Sequence, residues 1–116
     1  MQKLDVVERL FPLVLSGEKT STVRYRERRI YLGPMVYWCD GNSEITSTVW
    51  VKRCTDLPLL EVAEFLSKSE EWPDEIMLEG MRVHYPEIQL TDIVQVIEHY
   101  DPNESLLYLS KIDGIE

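Results

Sequence analysis

The run Lys19-Thr20-Ser21-Thr22-Val23-Arg24 sets an ammonium, three hydroxyls and a guanidinium within six residues, shortly after the apolar run LFPLVL. Groups of these types can hold an anion or polarise a carbonyl. A lysine that has lost its proton can also activate a hydroxyl as a nucleophile. Alternation over residues 20–26 puts Thr20, Thr22, Arg24 and Arg26 on one face of a strand, with Ser21, Val23 and Tyr25 on the other. Lys19 is three residues from Thr22 and points away from it in a regular strand. The two meet only if Lys19 sits in the bend after Gly17. The plainer reading is a solvated helix end followed by an exposed strand face, the commoner role for such charges.

The cations are concentrated. Five of the twelve Lys/Arg are Lys19, Arg24, Arg26, Arg28 and Arg29, in a chain of net charge −9. Residues 1–55 hold nine Lys/Arg and six Asp/Glu, whereas residues 56–116 hold three and fifteen. A protein that coats long nucleic acid needs a broad basic surface, and none is present. A small positive focus in a negative field suits one phosphate, one nucleotide or a short loop.

A length of 116 residues predicts one domain, 1–116, with a single core, and 44% hydrophobic with 28% charged residues is a globular composition. No apolar run approaches the roughly 20 residues of a membrane helix. The start MQKLDVVERL lacks the basic head and apolar core of a secretory signal, so no membrane and a cytoplasmic location are expected. Cys39 and Cys54 do not form a CxxC, and His84 and His99 are the only histidines. No metal site and no cofactor are expected, and the cysteines read as reduced, buried thiols on neighbouring strands.

The elements that must carry these groups follow from period and punctuation. Val6 to Leu15 reads as a short helix limited by Pro12, with Gly17 as its C-terminal glycine. Gly33-Pro34 turns into a strand Met35–Cys39, and Asp40-Gly41-Asn42 signals a hairpin to a strand from Glu44 to Cys54. Asp56-Leu57-Pro58 is predicted to open a helix to about Lys68, and Pro73-Asp74 a second to about Tyr85, where Pro86 ends it. Leu59, Val62, Ala63 and Leu66 form the inner face of the first. Ile76, Met77, Gly80, Met81 and His84 form that of the second, which makes His84 a hydrogen-bonded core histidine. Trp38 and Trp50 fall on the hairpin, where packing is the expected role of at least one. Ile93–Tyr100 and Leu106–Ile112 read as closing strands. The class is α+β with the sheet curled into a small β-barrel and flanking helices.

Gly17-x-Lys19-x-x-x-x-Arg24 resembles the GxKxxxxR pattern of the ASCH family, relatives of the RNA-binding PUA domains, and the order of elements through Tyr85-Pro86 is similar. The resemblance covers nearly the whole chain and implies a PUA-like barrel with a cleft lined by the motif. Within the family, KTSTVR is closest to small bacterial N4-acetylcytidine amidohydrolases, which use a lysine, a threonine three residues on and a distant glutamate. Lys19 and Thr22 match the first two. Counting back from Tyr85-Pro86 places the glutamate on Glu70, with Glu71 one step away.

The resemblance implies a hydrolase acting on the amide of an acylated cytosine. Lys19 would be the base and Thr22 the nucleophile. Glu70 would accept from the cytosine edge and shuttle a proton to the leaving amine, and Arg24 would either lower the lysine pKa as a neighbouring cation or stabilise the oxyanion. Such a lysine must be neutral, so its pKa has to fall from about 10.4 toward 7–8. Gly17 and Arg26 would line the cleft, and Tyr25, Trp38 or Trp72 could stack on the base. The partner is then a nucleoside or short RNA. The alternatives are a non-catalytic RNA-binding module using the same cleft and a regulatory domain that binds a protein. In the plain reading Glu70-Glu71 is a solvated helix end and Arg26–Arg29 a charged loop.

Overall fold

The structure is a computed structural model that describes residues 1–113. It is α+β, with one mixed five-stranded sheet of order β1-β3-β4-β5-β2. The strands are β1 (Gln2–Val6), β2 (Ser21–Arg24), β3 (Gly33–Cys39), β4 (Asn42–Pro58) and β5 (Ile93–His99). The helices are α1 (Phe11–Ser16), preceded by a 3-10 turn at Glu8–Leu10, then α2 (Leu59–Phe65), α3 (Asp74–Arg82) and α4 (Pro102–Asp113). The chain forms two compact units. The first comprises Met1–Thr22, Ile30–Cys54 and the chain from Ile97 on, and the second comprises Val23–Arg29 and Thr55–Val96. Strands β2, β4 and β5 contribute residues to both. The buried apolar residues form two clusters, one in each unit, where a single core was expected.

In the first unit, β1 pairs in parallel with β3, with Leu4 opposite Tyr37 and Val6 opposite Cys39. Leu4 and Val6 are buried and Lys3 is exposed, so the period of two was present in the sequence. The predicted helix over Val6–Leu15 therefore starts late: Val6 belongs to β1, and α1 begins at Phe11 with Pro12 in its first turn. The hairpin at Asp40-Gly41 forms as expected, with Gly41 at φ 91. An irregularity moves the partner of Trp38 to Thr46 while Cys39 faces Asn42. The same register puts Gly33 opposite Val51, so Cys54 lies beyond the far end of β3 from Cys39. The two thiols are on neighbouring strands but out of reach of each other.

The predicted closing strand Leu106–Ile112 is helical instead. Glu104 N–H donates to Asp101 Oδ1 at 2.8 Å, and Pro102 follows the capping aspartate. Ser105 is buried, and its Oγ accepts from the Trp50 N–H at 2.9 Å. Tyr108 stacks between Trp50, at 5.6 Å, and Tyr100, at 4.5 Å. Residues 105, 108 and 109 are the less exposed ones, a helical spacing that seats α4 on the aromatic side chains of this unit. Trp50 thus packs as one of the hairpin tryptophans was expected to.

In the second unit, Leu59, Val62 and Ala63 of α2 are buried as predicted. The helix stops at Phe65 because Ser67 takes φ 59, and Lys68 N–H reaches back to the Ala63 carbonyl at 2.7 Å. On α3 the inner face is Met77, Leu78, Met81 and the following Tyr85, while Ile76 is 55% exposed. His84 is exposed, which corrects its expected place in the core.

Candidate functional site

In the first unit, α1 ends at Gly17 with φ 86. A Cβ at Gly17 would lie 3.0 Å from Cβ of Asp101, so the position needs glycine for its backbone and for this approach. Lys19 N–H then donates to the Leu13 carbonyl at 2.9 Å, which closes the bend. Lys19 therefore sits in the turn, as the parity argument required. Its Nζ folds forward and donates to the Ser21 carbonyl at 2.6 Å, one peptide bond from Thr22. Thr22 is 6% exposed, a hydroxyl kept from bulk water on the strand that the lysine introduces.

The other side of this bend is held by a residue to which the sequence reading gave no role. His99 N–H donates to the Thr20 carbonyl at 2.9 Å. The His99 ring is fully buried, with Nδ1 2.8 Å from the Tyr100 carbonyl and Nε2 2.8 Å from the Tyr37 hydroxyl. A carbonyl only accepts, so Nδ1 carries the proton and Nε2 accepts from Tyr37. Burial pushes the His99 pKa below the ordinary histidine value. The Tyr100 carbonyl opposes the shift, and the cations of Lys19 and Lys52 add to it. The imidazole is thus a neutral strut behind the bend. The alternation Met35, Tyr37, Cys39 signalled that Tyr37 points inward, but not what its hydroxyl would meet.

Arg24, Tyr25 and Arg26 belong to the second unit, and the structure accounts for each. The Arg24 side chain is 10% exposed and its Nη1 lies 3.5 Å from Glu27 Oε1. Glu27 Oε2 accepts a hydrogen bond from the Tyr85 hydroxyl. The Tyr85 pKa is raised, first by burial and then by this bond to a carboxylate. Arg26 holds a left-handed backbone at φ 53, with its guanidinium 4.9 Å over the Tyr25 ring. Arg29 pairs with Asp56. The positive focus read from the sequence is therefore balanced in part by Glu27 and Asp56.

Glu70 is exposed, in the turn between α2 and α3. Its neighbour Glu71 pairs with Lys68 at 3.3 Å. Trp72 and Tyr25 are half-buried against the apolar cluster of this unit, so part of each ring is already used in packing. The structure thus groups Gly17, Lys19 and Thr22 in one unit with Tyr37 and His99. It groups Arg24, Tyr25 and Arg26 in the other with Glu27 and Tyr85.

Among the described residues, no group of three or more His, Cys, Asp or Glu could hold a metal ion. No described helix is long and apolar enough to cross a membrane. No family model, curated protein or solved structure matches the chain.

Proposed function

We propose that this protein is an ASCH-type, PUA-like amidohydrolase that removes the acyl group from the exocyclic amine of an N4-acylated cytidine. The observation that carries the reading is Lys19 Nζ held at the Ser21 carbonyl, beside a Thr22 that is 6% exposed. In its neutral form Lys19 takes the Thr22 proton, and Oγ1 attacks the acyl carbonyl carbon. The C–N bond then breaks, and the protonated lysine returns the proton to the leaving amine. Water, losing a proton to the same lysine, attacks the acyl-threonine ester. As the Oγ1–acyl bond breaks, the lysine returns that proton to Thr22 Oγ1 and the acid is released. No further reactant is required. The resemblance also gives Arg24 a carbonyl oxygen and Glu70 the cytosine edge, roles that Arg24→Leu and Glu70→Gln test separately.

A second reading is a non-catalytic module that binds a short RNA. It accommodates the same contact, because an ammonium donates to a carbonyl as a neutral amine does. Incubation with N4-acetylcytidine separates the two. The enzyme reading expects cytidine to appear by chromatography, little dependence on salt, and loss of turnover in a folded Thr22→Val protein. The module reading expects no product and RNA binding that weakens with salt, by a slope of about −0.7 for each phosphate contacted.

A further inference from the structure

Glu27 has no part in the reaction just described, yet it joins a largely buried group, Arg24, to a half-buried one, Tyr85, in the second unit. Its carboxylate accepts from the Arg24 guanidinium through Oε1 and from the Tyr85 hydroxyl through Oε2. The Arg24 side chain is 10% exposed and that of Glu27 is 30% exposed, so both charges have given up much of their water. Such a pair offsets its desolvation only when the geometry is held fixed.

The rest of the segment is fixed as well. Tyr25 meets Tyr85 edge to face, with centroids 5.8 Å apart and planes at 84°. Arg26 lies over the Tyr25 ring from a left-handed backbone position that an arginine seldom adopts. Gln95 Nε2 donates to the Arg28 carbonyl at 3.4 Å. A guanidinium is planar, so a contact at one terminal nitrogen restricts the directions in which its other donors point.

We propose that Glu27 is the positioning residue for Arg24: one carboxylate, shared by the Arg24 guanidinium and the Tyr85 hydroxyl, clamps residues 25–29 and sets the direction in which Arg24 presents its donors to an acceptor oxygen of the substrate. This rests on the reading of Arg24 as a substrate-binding residue.

The test compares wild type with Glu27→Gln, which keeps the shape and removes the charge, and uses Tyr85→Phe to assign the signal. In protein labelled with 13C at the tyrosine ζ carbons, Tyr85 of the wild type titrates well above the ordinary tyrosine range. In Glu27→Gln its midpoint falls by about one unit or more, because the charge-assisted bond is gone while burial persists. The Arg24 Nη resonances, separate in the wild type because the guanidinium is held, merge in the variant. With N4-acetylcytidine, KM rises about tenfold while kcat stays within about twofold, as expected when a binding group is misdirected and the chemistry is left intact. Acetate added to Glu27→Ala recovers part of the lost KM.

Unchanged Tyr85 and Arg24 signals in a folded Glu27→Gln protein overturn the clamp. A shifted Tyr85 with an unchanged KM overturns its positioning role. If the wild type makes no cytidine, the functional reading fails by itself. The clamp then stands or falls on the two spectroscopic signals.

Discussion

The two units solve the same problem differently. The first buries a neutral polar pair, Tyr37 and His99, with every ring nitrogen of the imidazole matched to a partner. The second unit largely buries one charge, Arg24, against a carboxylate at the surface, Glu27, and adds a phenol to the same carboxylate. By composition they are alike: the first has six Lys/Arg and ten Asp/Glu, the second six and eleven. The charge contrast read along the chain, basic early and acidic late, does not survive folding. The loop from Arg24 to Arg29 joins the acid-rich segment, where Glu27 and Asp56 are its partners. Charge counted along a sequence states what must be neutralised. Topology decides by what.

This comparison predicts a graded set of responses. The largest belongs to the charged group. Glu27→Leu takes one carboxylate away from a largely buried Arg24 guanidinium. Urea unfolding should show a loss of about 2–3 kcal/mol, less than for a fully enclosed pair because Glu27 keeps some contact with water. The neutral pair should respond less: Tyr37→Phe strands one acceptor, His99 Nε2, and costs about 1–2 kcal/mol. Equal losses for the two variants would erase the distinction between the units.

The neutral pair has its own signature in pH. The folded His99 resists protonation, whereas the unfolded histidine takes a proton near pH 6.5. The unfolded state then binds more protons, so stability falls as pH drops through about 6.5, by at most about 1.4 kcal/mol per pH unit. Urea midpoints measured from pH 8 to pH 5 should show this fall in wild type, and a His99→Gln protein should show a flatter curve. A wild-type curve that is flat below pH 6.5 would contradict a neutral buried imidazole. The smallest effect is expected at the exposed Arg29–Asp56 pair, where both side chains are more than two-fifths exposed. Asp56→Asn should change stability by less than about 1 kcal/mol.

Much of the scaffold was legible from local chemistry. Gly17, the strand over residues 35–39, the Asp40-Gly41 turn and the apolar spacing of Leu59, Val62 and Ala63 each carry a short-range signal, and each is found where it was expected. Parity gave only a condition for Lys19, a place in the bend if it was to meet Thr22, and its backbone does lie in that bend. Elements decided by tertiary partners were not legible. Residues 106–112 have leucines that suit strand or helix, and the choice was made by the Asp101 cap and by aromatic contacts from distant strands. Strand β1 was hidden because Val6 fits both the alternation before it and the helical spacing after it. His84 left its expected place in the core because α3 ends at Arg82, so the helical spacing that aligned it with Met77 and Met81 no longer applies, and the buried histidine is His99 instead. Glu27, between two arginines, looked like a solvated charge. Its partners lie three residues back in the chain and 58 residues onward, and only the second of these is beyond local reasoning.

The central claim is that Lys19 serves as a base for Thr22. The most direct test is the turnover of N4-acetylcytidine by Lys19→Arg, with the melting temperature recorded to show that the variant is folded. A guanidinium keeps the positive charge but does not lose its proton near neutral pH. The account predicts that the wild type releases cytidine and that folded Lys19→Arg does so at least about 100-fold more slowly. A folded Lys19→Arg protein that keeps most of the wild-type rate, or a wild type that releases no cytidine, would contradict it.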